Sequence, residues 1–190
     1  MSTLESTLIT NSIKLWGSWQ PNANSLPITN RLKAGQIVRV LGPCSTQSKE
    51  QMLAIAEVTA PHSDGLRGPD KKPRTRPVKP DGTPLFHGIG HTASKPIYES
   101  VTRRHPNLSL GVETMSEGDV QALAGLIGLA WSGSRTQEQE SLQELGAAAL
   151  QAKMLMMIKN PLTPDHEFYL GMMENWIIGA GYAIPFMACV

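Results

Sequence analysis

Met154-Leu155-Met156-Met157-Ile158 is the most telling segment of the sequence for its architecture. Five apolar residues in a row indicate a strand that is buried on both faces, whereas a half-exposed strand would alternate polar and apolar residues. Thr163-Pro164 follows, and this pair is typical of a helix start, with threonine as the N-cap and proline in the first turn. Gly179 and Gly181 end the predicted helix. The sequence from Met154 to Gly181 therefore predicts a β-then-α unit of a parallel sheet.

The same alternation of strand and helix recurs elsewhere in the chain. Ile37-Val38-Arg39-Val40-Leu41 is a β-branched run that ends at Gly42-Pro43, which predicts a strand and a turn. Ser48 and Gln51 form a capping-box pattern at the start of a predicted helix, and Ser116 caps another. Further strands are predicted at 108–112, 129–131 and 182–190, and further helices at 137–150 and after residue 163.

Alternating helices and apolar strands imply a parallel sheet that is covered by helices. Two architectures fit this pattern, an open doubly wound sheet and a (β/α)8 barrel. No glycine-rich nucleotide fingerprint follows the first strand, which disfavours the dinucleotide-binding form of the doubly wound sheet. Polar residues stand at the C-terminal ends of the predicted strands, where a barrel carries its active site. We therefore predict an α/β fold of the TIM-barrel type, incomplete at about six of eight β/α units, with an irregular N-terminal arm at 1–34 and the partial barrel domain at 35–190.

Composition narrows the class of protein and the cellular compartment in which it is expected. The chain has 190 residues, of which 41% are hydrophobic, and a formal net charge of +1. These values indicate a globular domain and disfavour a general nucleic-acid or membrane-surface role. Cys44 and Cys189 do not make a disulfide framework, and neither a signal-peptide pattern nor a membrane-spanning apolar run is found. A cytoplasmic protein with no nucleic-acid partner and no membrane association is predicted.

Lys72-Pro73-Arg74-Thr75-Arg76-Pro77 carries three cations within six residues. Its prolines stiffen the backbone, and arginine forks and a lysine ammonium both suit phosphate and carboxylate groups. An exposed, solvated basic loop is the plainer interpretation of such a run. Other residues with chemical potential stand at the ends of predicted strands, namely Cys44, Arg67, Glu113, Arg135 and Lys159. Together these residues favour a site for a small substrate with several negative charges.

Five motifs along the chain resemble those of one enzyme family. They are Gly42-Pro43-Cys44-Ser45, the basic stretch 72–77, Phe86-His87-Gly88-Ile89-Gly90, Trp131-Ser132-Gly133-Ser134-Arg135-Thr136, and Lys159-Asn160-Pro161 with Pro164-Asp165. In this order the motifs resemble 3-deoxy-D-arabino-heptulosonate 7-phosphate (DAHP) synthase, in particular the form related to bifunctional DAHP synthase/chorismate mutase. The resemblance extends from about residue 36 to about residue 180.

The resemblance implies a TIM-barrel transferase that condenses phosphoenolpyruvate with erythrose 4-phosphate in the shikimate pathway of aromatic amino acid biosynthesis. Lys72 and Glu113 would be catalytic, with Glu113 near the reacting enol pyruvate. The phosphate and carboxylate of phosphoenolpyruvate would be bound by Arg67, Lys72, Arg135 and Lys159. Erythrose 4-phosphate would be bound by Arg74 and Thr75. Cys44 would be one ligand of a divalent metal, which the resemblance gives as Mn, Fe, Co or Zn.

Several features depart from the family's pattern. Three of its four metal ligands are not found in this chain, and Cys44 is the single match. The link between Pro77 and Phe86 is longer than in the family. An incomplete barrel leaves a bare parallel edge, so a homo-oligomer or a fragment of a longer chain is expected. The alternative function is therefore a catalytically inactive remnant that only binds a phosphorylated metabolite, and nucleic-acid binding by the basic loop is a third, weaker hypothesis.

Overall fold

The computed structural model describes residues 18–74, 76–163, 165–183 and 185–189. Helices and strands alternate along most of this length. The α-helices are α1 Leu26–Lys33, α2 Lys49–Thr59, α3 Gly90–Arg104, α4 Glu117–Leu123, α5 Gln139–Ala152 and α6 His166–Gly179. The strands are β1 Val40–Leu41, β2 Gly65–Arg67, β3 Ser109–Thr114, β4 Leu129–Ser132, β5 Leu155–Lys159 and β6 Phe186–Cys189. Within the described ranges, no helix is long and apolar enough to cross a membrane.

The described strands form one parallel sheet of six strands, and their order in space, β1-β2-β3-β4-β5-β6, is their order along the chain. Every connection therefore moves to the next strand in the same direction. Because such crossovers are right-handed, the helices lie on one face of the sheet and leave the other face as a barrel interior. A doubly wound sheet would instead reverse its strand order at a switch point. The predicted incomplete TIM-type barrel is confirmed, and the open doubly wound alternative is wrong.

Alternate residues of each strand face either the helices or the barrel interior. Val112 and Ala130 are register partners on β3 and β4, and both are fully buried in the hydrophobic core. The next residues along, Glu113, Trp131 and Met157, are aligned across β3, β4 and β5. Trp131 and Met157 line a cavity on the interior face. Register thus places the Glu113 side chain on the interior side of the sheet, close to its C-terminal edge.

Two of the predicted helix caps are confirmed. Ser48 Oγ accepts a hydrogen bond from the Gln51 amide at 3.1 Å, and Ser116 Oγ accepts one from the Asp119 amide at 3.3 Å. The cap that was predicted at Thr163 is wrong, since α6 begins at His166 and its N-cap is Asp165, whose carboxylate accepts from the Phe168 amide at 2.9 Å. A carboxylate satisfies a free amide of the first turn and also interacts favourably with the helix dipole. Pro164, which was predicted in the first turn, lies outside the described residues.

The N-terminal arm was predicted to be irregular, and this is wrong for residues 26–33, which form α1. Proline in the first turn favours the helix start, and Ile28 is then fully buried in the core. Ser25 Oγ donates to the Gly128 carbonyl at 2.6 Å, and the Asn22 amide donates to the Lys153 carbonyl at 2.8 Å. Both acceptors lie just before strands, so the arm covers the N-terminal ends of the sheet. Residues 1–17 lie outside the described part, and the domain boundary at residue 34 stays a prediction.

A long loop at 68–89 separates β2 from α3, a helix that the sequence pattern did not predict. Pro96 lies inside α3, and an interior proline normally argues against a helix because it removes one amide donor. The buried side chains Tyr98 and Val101 hold α3 against the core instead. Tyr98 also donates from its hydroxyl to the Gly68 carbonyl at 2.5 Å, which ties the helix to the start of the loop. The basic stretch is thereby carried at the C-terminal end of β2.

Candidate anion-binding site

Loop 68–89 folds back on itself, so that the basic stretch pairs with the segment at 86–90. The pairing contacts are an isolated antiparallel bridge between Lys71 and Gly88, a hydrogen bond from the Lys72 amide to the His87 carbonyl at 2.8 Å, and one from Arg74 Nε to the Phe86 carbonyl at 3.1 Å. Two of the motifs found in the sequence are therefore one structural unit. The second motif supplies backbone partners that hold the cations of the first in place.

The Lys72 ammonium lies against Cys44, the residue that follows Gly42-Pro43 at the end of β1. Lys72 Nζ donates to the Cys44 carbonyl at 3.0 Å and also contacts Cys44 Sγ. The hydrogen bond from Lys72 holds the pKa of the exposed Cys44 thiol below its ordinary value, with further lowering from the nearby charges of Lys72, Arg67 and Arg74, while partial burial opposes the shift. A thiolate paired with an ammonium is therefore favoured at this position.

Replacing Lys72 with methionine should slow the alkylation of Cys44 by iodoacetamide at pH 7. Loss of the ammonium lets the thiol pKa rise toward its ordinary value, which lowers the fraction of thiolate at pH 7. The expected decrease in rate is roughly three- to tenfold, and it is smaller than the loss of thiolate because the remaining, more basic thiolate is a better nucleophile. Cys44→Ser measures the background from Cys189. An unchanged alkylation rate in the methionine variant would contradict the pairing of Lys72 with Cys44.

A cavity of about 370 Å³ opens at the C-terminal edge of the sheet, beside this pair. Among the described residues, its lining consists of Lys72, Pro73, Arg74, Arg76, Leu85, Glu113 and Arg135. Four cations from two separate parts of the chain therefore meet one carboxylate. Charge of one sign in a concave site raises the local concentration of ligands of the opposite sign. The cavity suits a small molecule with two or more negative charges.

The Glu113 carboxylate lies close to Gly133, the residue that follows β4. A Cβ atom at position 133 would lie 2.1 Å from Glu113 Oε1, so the glycine at that position leaves room for the carboxylate. Gly133 belongs to the same motif as Arg135. The glycine of this motif therefore fits the position of the carboxylate, while its arginine contributes to the cationic lining.

Arg76 lines the cavity although the sequence interpretation assigned it no role. The signal was present in the alternation of Lys72, Arg74 and Arg76, since residues two apart fall on the same side of an extended segment. Thr75, predicted to bind erythrose 4-phosphate, lies outside the described residues.

The predicted phosphoenolpyruvate-binding set is divided between two cavities. Lys72 and Arg135 line the cavity at the mouth. Arg67 and Lys159 line a second cavity of about 580 Å³ in the barrel interior, whose other walls are mostly apolar. Arg67 Nε also donates to the Pro43 carbonyl at 3.2 Å, which ties β2 to the Cys44 loop. The roles predicted for these four residues, and for Arg74 and Glu113, stay predictions.

The surroundings of Cys44 do not fit the divalent metal that the sequence resemblance implies. Across the described ranges, no three histidine, cysteine, aspartate or glutamate side chains come together as a metal site. The Cys44 sulfur is in contact with the Lys72 ammonium instead. A metal ion and an ammonium would compete for the same thiolate, because each needs its negative charge. The predicted role of Cys44 as a ligand for Mn, Fe, Co or Zn is therefore not supported by the contacts of its sulfur.

The fold and site together define a class: an incomplete parallel (β/α)8 barrel with a cationic cavity at the C-terminal ends of its strands. No protein-family model matches the sequence, and no curated protein matches it.

Solved structures do match the fold. A DAHP synthase from Thermotoga maritima superposes with a TM-score of 0.62 at 19% identity, covering 78% of this chain and 40% of that one. A truncated form of 3-deoxy-D-arabino-heptulosonate 7-phosphate synthase from Thermotoga maritima gives a TM-score of 0.57 at 17% identity, covering 77% of this chain and 48% of that one. The chain thus spans less than half the length of either protein. At these identities the similarity establishes the fold.

Proposed function

We propose that this protein is a DAHP synthase-like transferase that binds phosphoenolpyruvate at the mouth of its barrel and condenses it with erythrose 4-phosphate. The observation that carries the proposal is the convergence of Lys72, Arg74, Arg76 and Arg135 on one cavity beside Glu113. The barrel similarity to DAHP synthase structures is consistent with it. At about 370 Å³ the cavity lies within the usual range for small-molecule sites.

The charges of the cavity suggest which residue binds which group of the two substrates. Phosphoenolpyruvate carries a phosphate and a carboxylate, and we assign these groups to Lys72 and Arg135, with Arg67 and Lys159 reaching toward the ligand from the interior. Arg74 would bind the phosphate of erythrose 4-phosphate. Each such charge-assisted contact contributes about 1.5–3 kcal/mol. Several contacts are needed to hold two anionic substrates with their reacting carbons together.

In the condensation, carbon 3 of phosphoenolpyruvate forms a bond to the aldehyde carbon of erythrose 4-phosphate, whose oxygen takes up a proton and becomes a hydroxyl. Water adds at carbon 2 and gives up a proton; the bond from carbon 2 to the phosphate oxygen then breaks, phosphate leaves, and the oxygen from water becomes the ketone oxygen as its second proton is lost. Glu113 is the one carboxylate among the described residues that line the cavity. We assign it the task of accepting a proton from the added water, since a general base must lie within reach of the proton that it removes. Lys72 orients the phosphoenolpyruvate phosphate that becomes the leaving group.

Two measurements on the wild-type chain test this function. Calorimetric titration with phosphoenolpyruvate should show saturable binding. Mixing both substrates with the protein and manganese should release inorganic phosphate and form the seven-carbon product. Absence of binding heat at millimolar phosphoenolpyruvate would overturn the proposal as a whole.

A second candidate function is binding of a phosphorylated metabolite without turnover. The observation that favours it is the contact of the Cys44 sulfur with the Lys72 ammonium, which places a cation where the resemblance expects a metal. Saturable phosphoenolpyruvate binding, with no phosphate release at high protein and manganese concentrations, would select this candidate over the first.

A further inference from the structure

A second cluster, of charged and polar residues, lies where the first turns of α3 and α4 meet loop 68–89. Its members are Asp70, Lys71, His91, Ser94 and Asp119. Asp70 is fully buried and Asp119 almost so. The His91 side chain is 15% exposed. None of these residues was singled out from the sequence, and none lines the cavity at the mouth.

His91 connects the two carboxylates. Its Nδ1 lies 2.7 Å from Asp70 Oδ2, and its Nε2 lies 2.8 Å from Asp119 Oδ1. A neutral imidazole has one donor and one acceptor nitrogen, whereas an imidazolium donates from both. Because ionised carboxylates only accept, the arrangement is satisfied on both sides when His91 carries its positive charge. Ser94 Oγ donates to the same oxygen, Asp70 Oδ2, at 2.6 Å, whereas Asp70 Oδ1 is buried with no hydrogen-bond partner in the described part of the chain.

Lys71 extends the cluster into a row of alternating charge. Its ammonium contacts Asp119 Oδ1, which also faces His91, while Asp119 Oδ2 accepts from the Met115 amide at 2.8 Å. Burial opposes ionisation of Asp119, but the hydrogen bonds from Lys71 and His91 outweigh it and lower the pKa of Asp119 below its ordinary value. Asp70, His91, Asp119 and Lys71 thus form a continuous row of polar contacts, and loss of the His91 ring would remove one hydrogen-bond partner from each of the buried carboxylates Asp70 and Asp119.

This row of contacts joins the basic stretch to α3 and α4. Asp70 and Lys71 directly precede Lys72, and their backbone is paired with the segment at 86–90. The Asp70 carbonyl accepts from the Gly90 amide at 3.0 Å, one residue before His91. The charged row and the backbone pairing therefore hold residues 70–72 from two directions.

We propose that His91 is a positioning residue for the basic stretch. It binds Asp70 directly and shares Asp119 with Lys71, and it thereby sets the Lys72 ammonium against Cys44 at the cavity mouth. The effect on Lys72 placement follows from the contacts above. The consequence for phosphoenolpyruvate affinity rests in addition on the proposed function.

Replacement of His91 by glutamine tests the proposal through Cys44. Glutamine cannot contact Asp70 and Asp119 together in the geometry of the ring, so the basic stretch should loosen and the Lys72 ammonium should move away from Cys44 Sγ. The pH profile of Cys44 alkylation by iodoacetamide should then move upward by at least half a pH unit. Backbone hydrogen exchange at the Lys72 amide should become at least tenfold faster. Phosphoenolpyruvate should bind about tenfold more weakly.

His105→Gln is the matched control, since His105 follows the other end of α3 and has a carboxylate neighbour, Glu57, at 3.6 Å. It should leave the Cys44 profile, the Lys72 exchange rate and phosphoenolpyruvate affinity as in the wild type, even where it lowers stability.

If His91→Gln does not fold, Lys71→Met serves instead, because Lys71 is the partly exposed end of the row. An unchanged Cys44 profile in the folded variant overturns the positioning role. Absence of phosphoenolpyruvate binding by the wild type would refute the proposed function only, since alkylation and exchange are measured without ligand.

Discussion

Gly88→Ala is expected to lower the free energy of unfolding by about 3–4 kcal/mol. Gly88 has a φ of +100°, and a Cβ atom there would lie 2.0 Å from the Asp70 carbonyl oxygen and 2.8 Å from Lys71 Cα. These neighbours are backbone atoms, so no side chain can turn aside to make room. The positive φ costs an alanine about 1–2 kcal/mol, and the two backbone hydrogen bonds beside the contact, Lys72 to His87 and Gly90 to Asp70, contribute about 1 kcal/mol each.

Gly82→Ala is the matched control for this experiment. Gly82 also has a positive φ, of +81°, but apart from its two chain neighbours no atom of the described residues would lie within 4 Å of an added Cβ. Its replacement should therefore cost only the backbone strain, about 1–2 kcal/mol. Urea denaturation of both variants measures the two changes in the free energy of unfolding. Equal losses at positions 82 and 88 would show that the close approach to Asp70 does not matter.

Arg135→Ala is expected to weaken phosphoenolpyruvate binding by roughly 10- to 150-fold. This range is the loss of one charge-assisted contact of about 1.5–3 kcal/mol, expressed as a ratio of dissociation constants. Arg135 lines the mouth cavity from the loop after β4, a different part of the chain from the basic stretch. Loss of Arg135 should weaken binding in the cavity more than loss of an exposed cation weakens binding at a surface, because water and salt screen the charge of an exposed cation.

Calorimetry at fixed salt compares this variant with Arg39→Ala. Arg39 is exposed and precedes β1, at the N-terminal end of the sheet and away from the cavity. The Arg39 variant should bind phosphoenolpyruvate as the wild type does. The mouth cavity would not be the binding site if both variants had the same affinity.

Several elements of the fold could be predicted because their signals are local. The apolar run at 154–158 coincides with β5 to within one residue, and its residues other than Met157 are buried. Ser48 and Ser116 cap the helices that follow them, because an N-cap acts only on amides of the next turn. The helix at Gly90–Arg104 was not predicted, since Pro96 interrupts the local pattern and the stabilising contacts of Tyr98 come from the core.

The site was predicted in part for the same reason. A basic stretch with alternating cations is visible in the sequence, and the cavity lining includes Lys72, Arg74 and Arg76 from it. The division of Arg67 and Lys159 from Lys72 and Arg135 could not be predicted. Arg67 and Lys159 are the last residues of β2 and β5, whereas Lys72 and Arg135 lie in the loops beyond the strands, and the path of each loop depends on tertiary contacts.

The sequence by itself determined the alternation of strands and helices, two of the helix caps and the presence of a cation-rich loop, because these depend on residues a few positions apart. Only the tertiary structure decided that the strands follow one another in a single direction around a barrel. It also decided that Lys72 meets Cys44, and that His91 joins Asp70 to Asp119. These pairs are separated by 21 to 28 positions in the chain, and their contacts form only when the loops at the C-terminal ends of the strands close over the same sheet edge.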